Sequence, residues 1–501
     1  MGETDSTYTY QPIRTTNRGR HRILCSETVL NESNISKVVA QALLVHEVNA
    51  SDANILHRYY MGEQSILNRE KLVRPEIDNR VVENRADEIV SFKVGYMVGD
   101  PVKYVSRPTG DTHSTLMTDE ENQAHEVSTL NAIMADCDKH SCDRDVVQWA
   151  MECGVGYRLC LPTGKIEKPL LLRSLDPRHT FVVYSNDIRR EPIFACTYVI
   201  DEVDALRKYT VYTNSECFYL DSDFRCTGKV AHVCGAVPIV EYPANSDRTG
   251  CFEKVMGLLD AINEVESDRV DGIEQFVQAL MVFKNVDLGV TPDERAAVYD
   301  ELRERGAIQI FDVEGKESSV ELLTATLNQS DTQTLVDHLY QTVLRIVGMP
   351  SNIGGGASTS DTGVAVTLRD GWSLTETRAK DYELFFKRSE SRFLEMACSI
   401  LKRTCKISIT PTDIEVNFTR RNYENTQGKA QVYVTLVQNG VPPTLAAEVS
   451  GIAPDPEAFG DMVAAWKSEN APNLGAEDMG DGSITGDGDA TPTKKQTQEK
   501  E

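Results

Sequence analysis

The chain has 501 residues, of which 40% are hydrophobic and 26% are charged, a composition typical of a globular protein of about two to four domains. Its 77 acidic and 52 basic residues give a formal net charge of −25, which argues against a protein that grips nucleic acid through an extended basic face. No apolar run approaches the roughly 18 residues that a membrane-spanning helix needs, and we expect no secretory signal in the polar start.

The first part of the chain predicts an arm followed by helices. Residues 1–35 are polar, and we expect them to be disordered. Within residues 79–104, one predicted helical face carries Val81, Val82, Ile89, Val90, Val94 and Met97. Gly99 ends that helix, and the sequence PVKYVS after it predicts a strand. Residues 126–153 predict two more helices, the second of which ends at Gly154.

From about residue 155 to residue 243 the hydrophobic pattern changes to a period of two, which is typical of strands. The segments that show it are YRLCLP, LLLRSL, TFVVYS, FACTYVI, KYTVYT, CFYL and VPIVEY. Polar turns separate them, so this region predicts a β-rich subdomain.

Residues 254–281 predict a helix about 42 Å long, with apolar residues recurring at three- and four-residue steps. About 180° around the helix lies a stripe of acidic residues: Asp260, Glu264, Asp268, Asp271 and Glu274. Such a stripe is either a solvated helix face or a wall that faces something negative, and the pattern alone leaves both interpretations open.

A compact unit follows this helix. LMVFKNV (280–286) predicts a strand, and residues 291–306 predict a helix with Thr291 as its cap, Pro292 at its first position and Gly306 at its end. AIQIF and SVELL then predict a hairpin around DVEGKES. The sequence therefore predicts a small βαββ module inserted between two long helices.

The second long helix is predicted over residues 331–349, and a third over about 363–403 with Gly371 as a kink inside it. The loop SNIGGGASTSDTG lies between them. A phosphate-binding loop follows a strand and ends in G-K-[ST], whereas this loop follows a helix and the nearest lysine downstream is Lys380. Its small residues favour a segment that changes shape without side-chain clashes.

Six stretches of the sequence, in this order, resemble the portal proteins of tailed bacteriophages over roughly residues 50–465. They are YYMGEQSILNRE, NRVVENRADEIVSFKVGYMVGDPVKY, LDPRHTFVVYSNDIRREPIFACTYV, GAVPIVEYPANSDRTGCFEKVMGLLDAINEVESD, the flanking pair LRIVGMPSN and DTGVAVTLR, and VNFTRRNYENTQGKAQVYVTLVQNGVPP. The resemblance is to the siphophage-type portal family.

This resemblance implies an α+β portal fold with wing, stem, clip and crown regions, assembled as a ring that usually has twelve copies. It divides the chain into a disordered N-terminal arm (1–35), a wing (36–253), stem helix 1 (254–281), a βαββ clip (282–328), stem helix 2 (329–349), a tunnel loop (350–362), a kinked helix with a wing strand (363–419), crown helices (420–468) and a disordered acidic tail (469–501).

The function that the resemblance implies is that of a passive channel at one capsid vertex. Double-stranded DNA enters through it during packaging, leaves through it at ejection, and binds it only weakly and without sequence specificity. The implied partners are the packaging terminase, a head–tail connector, and capsid and scaffolding proteins, with no membrane. The implied location is the virion, after assembly in the cytoplasm of the bacterial host. ATP hydrolysis would belong to the terminase, so we expect no enzyme activity in this chain.

Three groups of residues are candidate sites. The tunnel loop is expected to line the narrowest constriction, and its members are Ser351, Asn352, Ile353, Gly354, Gly355, Gly356, Ala357, Ser358, Thr359, Ser360, Asp361 and Thr362. The clip is expected to dock the terminase through Glu294, Arg295 and Glu301. The acidic stripe is hypothesised to keep the duplex near the channel axis by repulsion.

Two other functions fit parts of the sequence. A connector or adaptor ring would lack the inserted module between long helices. A metal-dependent hydrolase would suit the abundant acids, but the sequence has no HExxH motif, and no second ligand pair follows Cys137, His140 and Cys142 at zinc-like spacing. We expect no catalytic residue, no cofactor and no metal site.

Overall fold

The computed structural model describes residues 19–27, 29–72, 74–107, 117–201, 203–277, 280–284, 291–293, 295–296, 300, 319–323, 329–351, 371–407, 409–420, 426–453, 459–460 and 462–466. The chain divides into two compact units, Met1–Thr426 and Gln427–Glu501. The helices of the larger unit include α1 (Ile35–Tyr60), α2 (Arg85–Val98), α3 (Met117–Asp136), α4 (Lys139–Cys153), α5 (Met256–Val277), α6 (Gln329–Val347) and α7 (Trp372–Thr404).

The strands of the larger unit include β1 (Ile23–Cys25), β2 (Lys103–Ser106), β3 (Val155–Pro162), β4 (Leu170–Leu175), β5 (Thr180–Ser185), β6 (Pro192–Ile200), β7 (Arg207–Tyr212), β8 (Glu216–Leu220), β9 (Cys226–Ala231), β10 (Ile239–Pro243), β11 (Leu280–Lys284), β12 (Ser319–Leu323) and β13 (Ile414–Asn417). Helices and mainly antiparallel sheets therefore occur together, which confirms the α+β class.

The largest sheet has the order β1-β5-β6-β7-β8-β9, and all its pairs are antiparallel except β1 with β5. Strand β5 is buried on both faces. Phe181 and Val183 share a core cluster with residues of α1, whereas Val182 and Tyr184 share one with residues of β3 and β10. Because alternate residues of a strand point to opposite faces, β5 joins the two hydrophobic layers of this region.

A three-stranded sheet, in the order β10-β3-β4, lies against β5. Together the two sheets confirm all seven predicted strands between residues 155 and 243. Strand β9 was not predicted. Its residues are half-buried or exposed and include no large buried side chain, so the sequence CTGKVA gives no hydrophobic alternation to detect.

The prediction of a disordered arm is wrong for its second half. Ile23 is 4% exposed and pairs with Val183 of β5. Arg20 is also buried, and its Nη2 lies 2.6 Å from Oε1 of Glu253. A three-residue strand is too short to show a period in the sequence, which is why the polar composition around it dominated the prediction. Residues 1–18 lie outside the described part.

One predicted helix start and one predicted helix kink are also wrong. Helix α2 begins at Arg85, and Val81 and Val82 precede it in a non-helical segment that runs along α5. Gly371 is not a kink inside a helix, because it adopts φ = 80° and caps α7, which begins at Trp372. That left-handed conformation is the one glycine adopts without a Cβ penalty. Residues 363–370 lie outside the described part.

The centre of the larger unit contains a buried polar network. Arg158 of β3 contacts Asp143 of α4 and lies 2.8 Å from Oε2 of Glu390 on α7. The hydroxyls of Tyr104 and Tyr242 donate to the same Glu390 carboxylate at 2.6 and 2.7 Å. Since these side chains come from β2, β3, β10, α4 and α7, the network fixes the long helix α7 against the sheets and α4.

The smaller unit contains helical residues, as the sequence predicted. Helix α8 (Thr426–Gln438) begins at the last residue of the larger unit, and its other residues belong to the smaller one. Helix α9 (Pro443–Ser450) follows, and residues 459–460 and 462–466 are helical again. The ring of Tyr433 packs edge-on against Phe459, with ring centres 5.5 Å apart. The predicted acidic tail, residues 469–501, lies outside the described part.

Candidate channel-forming and docking elements

The two predicted stem helices are confirmed as helices and pack against each other. Leu259 and Ile262 of α5 share a buried cluster with Val336 and Val343 of α6. Farther along the pair, the guanidinium of Arg269 donates to the side-chain oxygen of Gln333 at 2.8 Å. α5 and α6 therefore form one two-helix unit.

Part of this two-helix unit is apolar and exposed. Val270 and Ile273 of α5 are 38% and 49% exposed, and Leu335 of α6 is 47% exposed. Burying such side chains is worth about 25 cal/mol per Å² of apolar area, so this surface favours contact with another chain.

The inserted module begins and ends on a shared pair of strands. β11 follows α5, β12 precedes α6, and the two pair antiparallel with Leu280 opposite Leu323. Both strands were predicted, and β12, which contains SVELL, pairs with β11 in the structure; the predicted hairpin of SVELL with AIQIF stays a prediction. AIQIF lies outside the described part.

One of the three predicted docking residues can be placed. Arg295 is exposed and helical, and its backbone N–H donates to the carbonyl of Thr291 at 3.2 Å, as expected for a helix that Thr291 caps. Glu294 and Glu301 lie outside the described residues.

Ser351, at the start of the predicted tunnel loop, lies next to Gly371, which follows the loop after residues 363–370. A Cβ on Gly371 would lie 3.8 Å from the backbone nitrogen of Ser351, although the two residues are twenty positions apart. Ser351 is 4% exposed, so the expectation that it faces DNA is wrong, and it belongs to the base of the loop. The other predicted loop residues, 352–362, lie outside the described part.

The base of the loop is fixed by α2 and α7. The ammonium of Lys93 donates to the carbonyl of Val347, the last residue of α6, at 2.6 Å. Burial lowers the pKa of Lys93, and the end of a helix favours a nearby cation. A Cβ on Gly348 would lie 2.7 Å from Cγ of Arg378, so α7 packs closely over the residue that ends α6.

The acidic stripe makes contacts within its own chain. Asp271 is 2% exposed and accepts hydrogen bonds from Lys71 at 2.6 Å and from the backbone and side chain of Asn79 at 2.8 and 2.9 Å. Although burial opposes the shift, the bonds from Lys71 and Asn79 lower the pKa of Asp271. Glu274 accepts a further bond from Asn79 at 2.8 Å.

The remaining stripe residues differ in exposure. Asp260 accepts a hydrogen bond from the hydroxyl of Tyr59 at 3.0 Å, and burial raises the pKa of Asp260. Glu264 and Asp268 keep 59% and 58% of their side-chain surface exposed and both contact Arg69. Asp271 and Glu274 therefore hold the segment that runs along α5, while the role of the exposed Glu264 and Asp268 stays a prediction.

That segment lies along α5 with a matched repeat. The backbone N–H groups of residues 79, 81 and 83 donate to side chains of residues 271, 267 and 263, at 2.8, 3.0 and 2.9 Å. Two extended residues advance about 6.6 Å and four helical residues about 6.0 Å, so alternate amides meet every fourth helical residue. The spacing of Asn263, Ser267 and Asp271 was the sequence signal that could have revealed this contact.

The described residues were also compared with what a metal site and a membrane span require. They contain no group of three or more His, Cys, Asp or Glu side chains arranged to hold a metal ion. Within the same residues, no helix combines the length and the apolar character that crossing a bilayer requires.

Comparison with known proteins identifies the family. Residues 44–473 match the family described as "Phage portal protein, SPP1 Gp6-like". The chain belongs to this family. It is also 22% identical over 415 residues to the portal protein of Bacillus phage SPP1, an alignment that covers 77% of this chain and 77% of that protein. Phage portal proteins are structural components of the virion rather than enzymes, and the resemblance predicted from the six sequence stretches is confirmed.

Proposed function

We propose that this chain forms a homo-oligomeric ring, of about twelve copies, at one vertex of a phage capsid. The ring encloses the channel through which the genome is packaged and ejected. The observation that carries the proposal is the family match over residues 44–473. The pair α5–α6, with its exposed apolar residues and its inserted module, supports it, because such a pair can line a bore when copies pack side by side.

The proposal assigns a role to each element. The pair α5–α6 forms the channel wall, and residues 352–362 form the constriction, since the segment 352–370 that contains them leaves and rejoins the fold at the adjacent residues Ser351 and Gly371. The inserted module, which begins at β11 and returns at β12, docks the terminase during packaging and the head–tail connector afterwards. Of the acidic stripe, Glu264 and Asp268 are exposed enough to face the duplex.

Imaging the purified chain tests the proposal. Twelve chains of 55.7 kDa give a particle of about 670 kDa, which mass photometry and negative-stain microscopy would show as a ring with a central hole. An adaptor ring would also be annular, so terminase-dependent packaging with the ring in place is the second readout. A population of monomers to tetramers under all conditions would contradict the proposal.

A further inference from the structure

A cleft of about 450 Å³ opens between the largest sheet and α7. Six arginines line it: Arg22, Arg189, Arg190, Arg248, Arg388 and Arg392. Among its described lining residues Glu241 is the one acid, and that carboxylate already accepts a hydrogen bond from Arg248 at 2.9 Å. In a chain with a net charge of −25, this arginine cleft is a local concentration of positive charge.

Most of these arginines make no ion pair with another residue that the structure describes. Arg189 lies 3.3 Å from Asp187, but within the described part Arg22, Arg388 and Arg392 make no ion pair. Arg190 makes none either, and its Nη1 is buried without a hydrogen-bond partner. A buried donor without an acceptor costs about 1–3 kcal/mol, so an anion that accepts from this nitrogen would be stabilised.

Burial within the cleft favours a small anion. Because Nη1 of Arg190 is buried, a group carried on a flexible side chain reaches it more readily than a phosphate of a rigid duplex does. A carboxylate on an exposed turn can reach it, and a guanidinium binds a carboxylate through two parallel hydrogen bonds. Burial and the neighbouring charge of Arg248 lower the pKa of Arg22, which a bound carboxylate would reverse.

We infer that the arginine cleft receives carboxylate side chains of the neighbouring copy of this chain, an inference that rests on the proposed ring. The chain supplies the partner chemistry, since its acidic residues outnumber its basic residues by 25. The cleft adjoins β1, which is one edge of the largest sheet, while β9 is the other edge. In a closed ring each copy presents different surfaces to its two neighbours, so a cleft at one edge meets a different, acid-bearing surface of the next copy.

The test replaces the two exposed arginines on α7. Arg388→Ala combined with Arg392→Ala breaks no ion pair or side-chain hydrogen bond of the described residues, so we expect the fold to be retained, which the melting temperature checks. We expect the protein concentration at which half of the chains are in rings to rise about tenfold at about 0.05 M salt. This difference from the wild type should shrink at about 0.5 M salt, where charges are screened within a few ångströms. Arg388→Lys with Arg392→Lys keeps the charge but loses the paired hydrogen bonds. The concentration at which half of its chains are in rings should lie between those of the wild type and the alanine variant.

The matched control is Arg144→Ala with Arg173→Ala, two exposed arginines of α4 and β4 without ion pairs in the described residues. It should assemble like the wild type. Equal assembly of the cleft variant, the control and the wild type would overturn the inference while leaving the ring itself proven. If no protein forms rings, the proposed function fails together with the inference. If the cleft variant instead loses affinity for a labelled oligonucleotide and assembles normally, the cleft is a nucleic-acid site and the inference is wrong.

Discussion

Glu390 of α7 shows how charged residues are used inside this fold. It is completely buried, and its carboxylate meets Lys139, Arg158, Tyr104 and Tyr242 from four other elements. Burial alone would raise the pKa of Glu390, but the charges of Arg158 and Lys139 outweigh it and lower this pKa to about 2. The carboxylate therefore stays charged, and each partner depends on it.

Neutralising this carboxylate should destabilise the protein strongly. Because Glu390→Gln leaves Arg158 and Lys139 buried with too little negative charge, we expect the free energy of unfolding to fall by about 3–5 kcal/mol at neutral pH. Glu63→Gln, which alters an ion pair with Arg58 that is about half exposed, is the control and should cost less than about 1 kcal/mol. Denaturant unfolding measures both, and equal effects would contradict the role given to Glu390.

The same residue makes stability depend on pH in a stated direction. The folded-state pKa of Glu390 is about 2 and the unfolded value is about 4.3, so its charge stabilises the fold above about pH 4. This stabilisation is lost as the pH falls from about 4 toward 2. The wild type should therefore lose more stability than Glu390→Gln over that interval, as thermal unfolding at each pH would measure. Parallel curves would argue against a charged Glu390 in the folded protein.

Asp271 should hold the segment along α5. Asp271→Ala removes the acceptor for the amide of Asn79 and for Lys71, so we expect the amides of residues 79–83 to exchange with deuterium at least about tenfold faster. Asp268→Ala is the matched control, since that side chain is 58% exposed and none of these amides donates to it. Hydrogen-exchange mass spectrometry measures both, and similar exchange in the two variants would contradict the contact.

At the scale of elements, sequence patterns predicted the helices and strands that bury a regular face. α5, α6, α4 with its end at Gly154, and the alternating strands of the two sheets were all predicted. Segments that are held by tertiary contacts and have no hydrophobic period were predicted less well. Residues 79–83 satisfy their amides through side chains of α5, β1 pairs through only three residues, and Gly371 owes its φ of 80° to its place before α7. None of these depends on hydrophobic spacing.

The candidate site was predictable to the same degree. Composition and spacing located the acidic stripe, but they cannot tell which cation approaches a carboxylate. Lys71 and Asn79, which lie about 200 positions away in the chain, decide that Asp271 is an internal contact. The arginine cleft escaped detection for the same reason, because its arginines come from four separate segments that only the fold assembles.

The tunnel loop should act in DNA passage and not in assembly. Deleting Gly354–Ser358 leaves the anchored ends at Ser351 and Gly371 in the chain, so we expect normal rings and impaired packaging or retention of DNA. Particle imaging checks the first expectation, and DNA protected from nuclease inside capsids checks the second. Normal DNA content with the shortened loop would count against the assignment.

The inserted module should act in docking. The variant reverses the charges of Glu294, Arg295 and Glu301 together, and of these the described Arg295 is exposed. We expect its affinity for terminase to fall about tenfold while the ring stays intact. A pull-down titration with assembled rings measures the affinity. Reversing Glu167 and Asp223, which are exposed at hairpins of the two sheets, is the control and should leave terminase binding unchanged.

At the scale of the whole molecule, net charge decides how the proposed channel would interact with DNA. Each chain carries a net charge of −25, and a duplex carries about one negative charge per 1.7 Å of its axis. The proposed ring would repel the duplex on average, as DNA passage requires, since a wall that bound phosphates tightly would stall translocation. The arginine cleft is consistent with this net repulsion, because its positive charge is proposed to bind carboxylates of the neighbouring copy and not the phosphates of DNA.

The assembled ring should therefore bind free duplex DNA weakly, with a Kd above about 10⁻⁵ M near 0.1 M salt and only a shallow dependence on salt. If Glu264 and Asp268 face the bore, replacing both with lysine should strengthen binding about tenfold and steepen the salt dependence, because each new cation displaces counterions from the duplex. Lysines at Glu167 and Asp223 are the matched control and should have no such effect. Fluorescence anisotropy with a labelled duplex measures all three proteins. Equal binding by the two lysine variants would place Glu264 and Asp268 away from the duplex and leave them, like Asp271, to the contact along α5.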